Sequence, residues 1–150
     1  MNSSSSAQEF EAEIAVLRGE GPPLEDPYAA SLVEREVNRR WAAMRRLGEN
    51  HVYAADDLIR RQLYAEDPSL RAEAIHVLMG LWHRTDLLAH AINLAADCDE
   101  HRMVRMMAIE ALGLSGATET ESVRRLVQEL AVRDDEPVIN RTAMKVLGLT

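Results

Sequence analysis

The sequence predicts an all-α fold, an α-solenoid of about four antiparallel helical hairpins. Three observations predict it. Aromatic residues make up only 4% of the chain, while Ala, Leu, Arg and Glu are abundant, which is helix-forming stock and poor material for sheets. The breaks between apolar-periodic segments are two to five residues long, so neighbouring helices must run antiparallel. One side-chain pattern also recurs four times at a nearly constant period.

In chain order, Met1–Ala7 carries four consecutive serines and is expected to be disordered, because it can bury almost nothing. A short acidic helix follows over 8–18, with Phe10, Ile14 and Leu17 on one face. The Pro/Gly-dense stretch 19–26 reads as a linker, which makes 8–26 a segment of its own ahead of a repeat domain over 27–150. Asp26-Pro27 has the form of an N-cap followed by proline at the first helical position. The helix it opens should reach Leu47, with Val33, Val37, Trp41 and Met44 on its inner stripe and Gly48 closing it. Further helices are predicted over 51–65, 68–83, 86–96, 100–114, 119–133 and 137–148. No segment alternates with period two over a convincing length.

The repeated pattern is a basic or polar residue, Ala three later, an apolar residue next, and Leu three beyond. It stands at Arg40…Ala43-Met44…Leu47-Gly48, Arg71…Ala74-Ile75…Leu78, Arg105…Ala108-Ile109…Leu112-Gly113 and Asn140…Ala143-Met144…Leu147-Gly148, with alanines 31, 34 and 35 residues apart. The small Ala lets helices approach closely, the next residue fills the core, and glycine near the end permits a left-handed turn into the next hairpin. A helix pair cannot bury its apolar face alone, so pairs stack.

These residues resemble HEAT repeats. Asp67-Pro68-Ser69-Leu70-Arg71…Ala74-Ile75…Leu78 and Val104-Arg105…Ala108-Ile109-Glu110-Ala111-Leu112-Gly113 look like second helices of that family. The resemblance is good over 51–148, weaker over 27–48 and absent from the first 26 residues; the last unit departs from it by carrying Asn140 where the others carry Arg. It implies an α-solenoid and a protein-interaction role, but no single activity.

The formal net charge of −8 argues against a nucleic-acid partner and weakens attraction to anionic membranes. No apolar run approaches a membrane span, and the N-terminus lacks a secretory pattern, so a cytoplasmic location is the default expectation. Charge is unevenly placed: segments 27–50, 68–84, 101–118 and 137–150, which hold the second helices, sum to +2, +1, +1 and +2. Segments 51–67, 85–100 and 119–136 sum to −2, −4 and −3, and the first 26 residues to −5. In HEAT-like solenoids second helices line the concave side, so a mildly basic surface inside an acidic shell is expected.

Arg45, His76, Glu110 and Lys145 occupy one equivalent position relative to the Ala-apolar pair, and stacking should bring them into a row. Together with Arg71, Arg105, Met107 and Arg141, they form the candidate partner-binding set, suited to an acidic peptide or helix of another protein. The competing reading is a solvated face with structural Arg–Asp pairing between adjacent repeats, such as Arg105 with Asp67. Of Met103, Met106 and Met107, only two can face the core, and Met107 is the one expected outside. The repeat pattern runs to the end of the sequence without a polar cap, so a second copy of the chain is an alternative partner for the last helix. The helix at 8–18 could instead fold over an exposed face as an internal mimic of a partner.

Catalytic signals are weak, and no catalytic residue, metal or cofactor is expected. Glu73…His76 has the spacing of a di-iron helix, but no second copy exists, and Asp86…His90 is isolated. HEAT-like deoxyhypusine hydroxylases use His-Glu pairs, and the chain has none. Trp41, Tyr64 and Trp82 read as packing residues rather than the lining of a base-excision groove. Cys98 lies between Asp97 and Asp99, an environment that disfavours the thiolate. An adaptor or scaffold is the favoured reading; the alternative is a HEAT-like lyase or metal-dependent enzyme, or its accessory, acting on a bound protein.

Overall fold

The computed structural model describes residues 8–23 and 29–149, with the side chains of 29–31 excepted. The expectations for Met1–Ala7 and for an Asp26-Pro27 cap lie outside the described residues. Among the described residues there are eight α-helices: α1 Glu11–Arg18, α2 Ala29–Glu49, α3 Asp56–Gln62, α4 Pro68–Ile75, α5 Leu88–Ala96, α6 Arg102–Leu114, α7 Glu121–Arg133 and α8 Pro137–Val146. Short 3-10 turns lead into α3, α5 and α7, and α4 is followed directly by a π-helical stretch, His76–Leu81. There Trp82 N–H donates to the carbonyl of Val77 at 2.9 Å, a five-residue reach. No strand occurs among the described residues. The chain divides between Ala74 and Ile75 into two compact units.

In the first unit α1 lies against α2 and also touches α3, the place of a first helix in a hairpin. Phe10, Ile14 and Leu17 are buried there, as their spacing requires. Glu13 accepts from Arg46 Nε at 3.1 Å, and the Arg46 guanidinium stacks 5.1 Å from the Phe10 ring centre. Gly19, with φ +78°, ends α1 in the left-handed conformation that favours glycine. Arg39 then donates to the carbonyl of Pro22, holding the Pro/Gly segment to α2.

The inner stripe of α2 is narrower than its periodicity suggests. Met44 and Leu47 are fully buried and Trp41 is half-buried, but Val33 is 72% exposed. Periodicity identifies an apolar face; it does not say how far along the helix a neighbour covers that face.

In the second unit α6 packs on the π stretch, on α5 and on α8, while α7 pairs with α8. Second helices therefore stack on second helices, as the repeat requires. Each of the four repeated alanines is buried, and so are the apolar residues after the first three, Met44, Ile75 and Ile109. Met144 and Leu147, their counterparts in the last hairpin, are only half-buried.

The glycines behave differently from the expectation. Gly48 and Gly113 lie inside helices and do not turn the chain. A Cβ at Gly113 would come within 2.9 Å of Val146 Cγ1, so this glycine lets α6 and α8 cross closely. Besides Gly19, the left-handed turns among the described residues fall at His51, His83, Gly116 and Gly148, recurring at nearly the same period as the alanines. Only the glycine at 148 does what its pattern predicted.

Candidate protein-binding groove

In the last three repeats the basic or polar residue near the start of the second helix serves the hairpin interior, whereas Arg40 of the first is engaged by Glu36. Arg71 Nη1 donates to the carbonyls of Ala65 and Glu66, at 2.7 and 2.8 Å. Arg105 Nε donates to the carbonyl of Ala95 at 3.1 Å, and Asn140 Nδ2 to those of Leu130 and Asp134, at 2.8 and 3.0 Å. These side chains close the otherwise unpaired carbonyls at the ends of the preceding helices. Arg105 also makes a two-pronged pair with Asp134, in which both side chains are nearly enclosed, 3% and 5% exposed. The Arg105 hydrogen bond, with a further backbone bond from Glu136, holds the Asp134 carboxyl below its ordinary range despite the opposing effect of burial. Burial pulls the Arg105 guanidinium down, but the bond and charge of Asp134 outweigh it and the net shift is upward.

Two members of the candidate set therefore leave the exposed surface. Arg105 is buried, and its carboxylate partner is Asp134 of the following hairpin, not Asp67. Arg71 is half-buried with its guanidinium committed to backbone carbonyls. Arg45 is exposed, yet it pairs with Glu49 at 3.3 Å and lies 4.9 Å over the Trp41 ring. His76 is half-buried, and a side chain added at Gly80 would stand 3.3 Å from its Nδ1.

Of the remaining candidates, Glu110, Arg141 and Lys145 line hollows on one face of the second unit, and Met107 lines neither. Helices α6 and α8 run side by side in the same direction and leave two hollows along their crossing. The first, of about 500 Å³ near their N-terminal ends, has Met103, Met106 and Val138 as its apolar wall and Arg102 and Arg141 at its rim, with His101 at the entrance. His101 Nδ1 accepts from Met103 N–H at 3.1 Å, which caps α6 and fixes the imidazole there. The second hollow, of about 300 Å³, lies between Glu110, Gly113 and Leu114 of α6 and Lys145 and Val146 of α8. Arg102, Arg141 and Lys145 make no ion pair among the described residues.

The methionines are arranged otherwise than expected. All three are half-buried, and Met103 and Met106, assigned to the core, line the first hollow while Met107 does not. Arg102 and Val138 were missed as well. Their signal is the (i, i+4) spacing of Arg102 and Met106 and the (i, i+3) spacing of Val138 and Arg141 on two helices that stack.

A larger hollow, about 810 Å³, lies in the first unit beside Leu32, Val33, Val37 and Leu70. Its arginines, Arg39 and Arg40, are both engaged by Glu36 at 2.7 and 3.0 Å, so it presents little net charge. Among the described residues no group of three or more His, Cys, Asp or Glu could hold a metal ion, and no helix is long and apolar enough to cross a membrane.

Stacked hairpins with closed interiors and an open, side-chain-lined face define a helical-repeat protein. The family model that describes HEAT repeats matches residues 55–148, more than half of the chain. The chain belongs to the HEAT-repeat family. No curated protein and no solved structure matches it. Repeats of this family generally mediate protein–protein interaction.

Proposed function

We propose that the chain is an adaptor that binds another protein through the face formed by α6 and α8. One observation carries this reading: an open hollow of about 500 Å³ joins flexible methionine side chains to arginines that have no ion-pair partner among the described residues. Methionine adapts its shape to an apolar ligand, and an unpaired arginine at the rim is available to a carboxylate. The arrangement matches the helix-in-groove mode of recognition, and it offers no paired nucleophile and base. A cytoplasmic setting accords with this role.

A photo-crosslinking residue at position 106 tests the reading, with one at the exposed Val132 of α7 as control. Position 106 should yield a discrete protein adduct in native-host extract, and position 132 should not. Absence of a protein adduct at 106, or the same adducts at both positions, would contradict it.

A further inference from the structure

We infer that the occupant of the α6–α8 groove is an acidic amphipathic helix of a partner protein. Its carboxylates meet Arg102 and Arg141, and its apolar stripe lies on Met103, Met106 and Val138. The inference rests on the protein-binding reading of the same face and adds the partner's chemistry.

Charge is the first argument. The whole chain carries −8, yet the two hollows have Arg102, Arg141 and Lys145 at their edges against the single carboxylate of Glu110. The three cations are unpaired among the described residues, so a ligand need not displace an internal salt bridge to reach them. The N-terminal ends of α6 and α8 converge at the same hollow, and their helix dipoles point positive potential towards it. At this end of the groove a basic segment would meet like charge, and a neutral one would gain only the apolar contact.

Backbone chemistry selects a helix over an extended peptide. Both walls are helices whose N–H and C=O groups are consumed internally beyond the first and last turns. An extended strand would find no partners for its own backbone groups there, whereas a helix satisfies them itself. The groove follows α6 over its 13 residues, about 20 Å, which is three to four turns of a docked helix.

A second copy of this chain is the weaker occupant. Its own acidic amphipathic helix, α1, already buries Phe10, Ile14 and Leu17 in the first unit and pairs Glu13 with Arg46. It would have to leave that site before it could dock elsewhere.

The test uses three fluorescent, staple-fixed helical peptides of four turns with an identical leucine stripe, flanked by Glu, Gln or Lys. Their binding to the full chain is read by anisotropy at low and high salt. The Glu peptide should bind about tenfold tighter than the Gln peptide, weaken with salt, and outcompete the Lys peptide. The variant Arg102→Glu/Arg141→Glu should reverse that order while melting as the wild type does; Arg141→Glu alone serves should the double variant fail to fold. Equal affinity for the Glu and Gln peptides, or an unchanged preference in the variant, would overturn the inference. So would wild-type dimerisation that the variant abolishes, since the occupant would then be a second copy. A protein adduct at position 106 that survives the double reversal would refute the acidic helix yet leave the adaptor reading standing. Loss of the adduct confined to the double variant supports the acidic helix; absence of any adduct at 106 in the chain with both arginines intact removes the adaptor reading.

Discussion

The two compact units handle buried charge in opposite ways. In the second, Arg105 is enclosed but answered on every side, by the carbonyl of Ala95 and both oxygens of Asp134. In the first, Glu73 is 3% exposed, and its Oε1 has no hydrogen-bond partner. Burial drives the Glu73 carboxyl upward; the charge of Arg45 opposes this only in part, and Glu49 adds to it. The contrast extends outward. Four arginines of α2, at 39, 40, 45 and 46, are paired with carboxylates of their own unit, while Arg102 and Arg141 are left open. The α2 cations of the first unit are used internally; the second unit closes its interior with one strong pair and, among the described residues, leaves Arg102 and Arg141 without an ion pair.

Four substitutions break or sharpen this comparison. Arg105→Ala should have the largest effect, a loss of about 3–5 kcal/mol in urea unfolding, because Asp134 is left enclosed without its partner. The pair's pH dependence follows from the lowered Asp134 value. Its stabilisation is present above the ordinary carboxyl pKa of 3.8 and is lost as pH falls through the lower folded value, so wild type and variant should converge in acid. Next, Gly113→Ala should cost about 1–3 kcal/mol by overpacking against Val146, and the double variant Gly113→Ala/Val146→Ala should recover part of it. Should Gly113→Ala melt as the wild type does, the close crossing is not what this glycine provides.

Glu73→Met should act in the other direction, raising stability by about 1–2 kcal/mol at neutral pH through removal of an enclosed, unpaired carboxylate. The sign follows from the raised value. Below the ordinary pKa of 4.5 the carboxyl is neutral whether the chain is folded or not, and no ionisation penalty exists. As pH rises through the raised folded value the penalty appears, so the gain from Met should grow between acid and neutral melts. A gain of equal size at all pH values would show that packing, not charge, is responsible. The smallest effect is expected at His83, whose φ of 53° disfavours any side chain: His83→Gly should raise the melting midpoint by the equivalent of about 0.5–1 kcal/mol.

Most of the fold was legible because the repeated Ala and Leu positions are core positions. Ala43, Ala74, Ala108 and Ala143 are all enclosed, and the helices lie within a few residues of their predicted spans. Features that depend on a neighbour were not. Val33 has the periodicity of a core residue but lacks cover, and Gly113 reads as a turn until Val146 is seen against it. Arg105 illustrates a signal that was present but outweighed. It precedes the buried Ala108 by three residues and so shares its inward face, which counting charge by segment conceals. The groove was half-read, with Arg141 and Lys145 identified and Arg102, Met103 and Val138 not, because stacking rather than sequence order brings α6 and α8 together. Glu73 drew notice only for its spacing from His76; its lack of a hydrogen-bond partner depends on how the neighbouring helices are placed.

The recurrence of a left-handed residue at 51, 83, 116 and 148 means that a block running from just after one such residue to the next starts and finishes in matching backbone geometry. The segment 117–148 is accordingly a self-consistent cassette: grafted after another such residue, it brings its own exit corner and needs no redesigned joint.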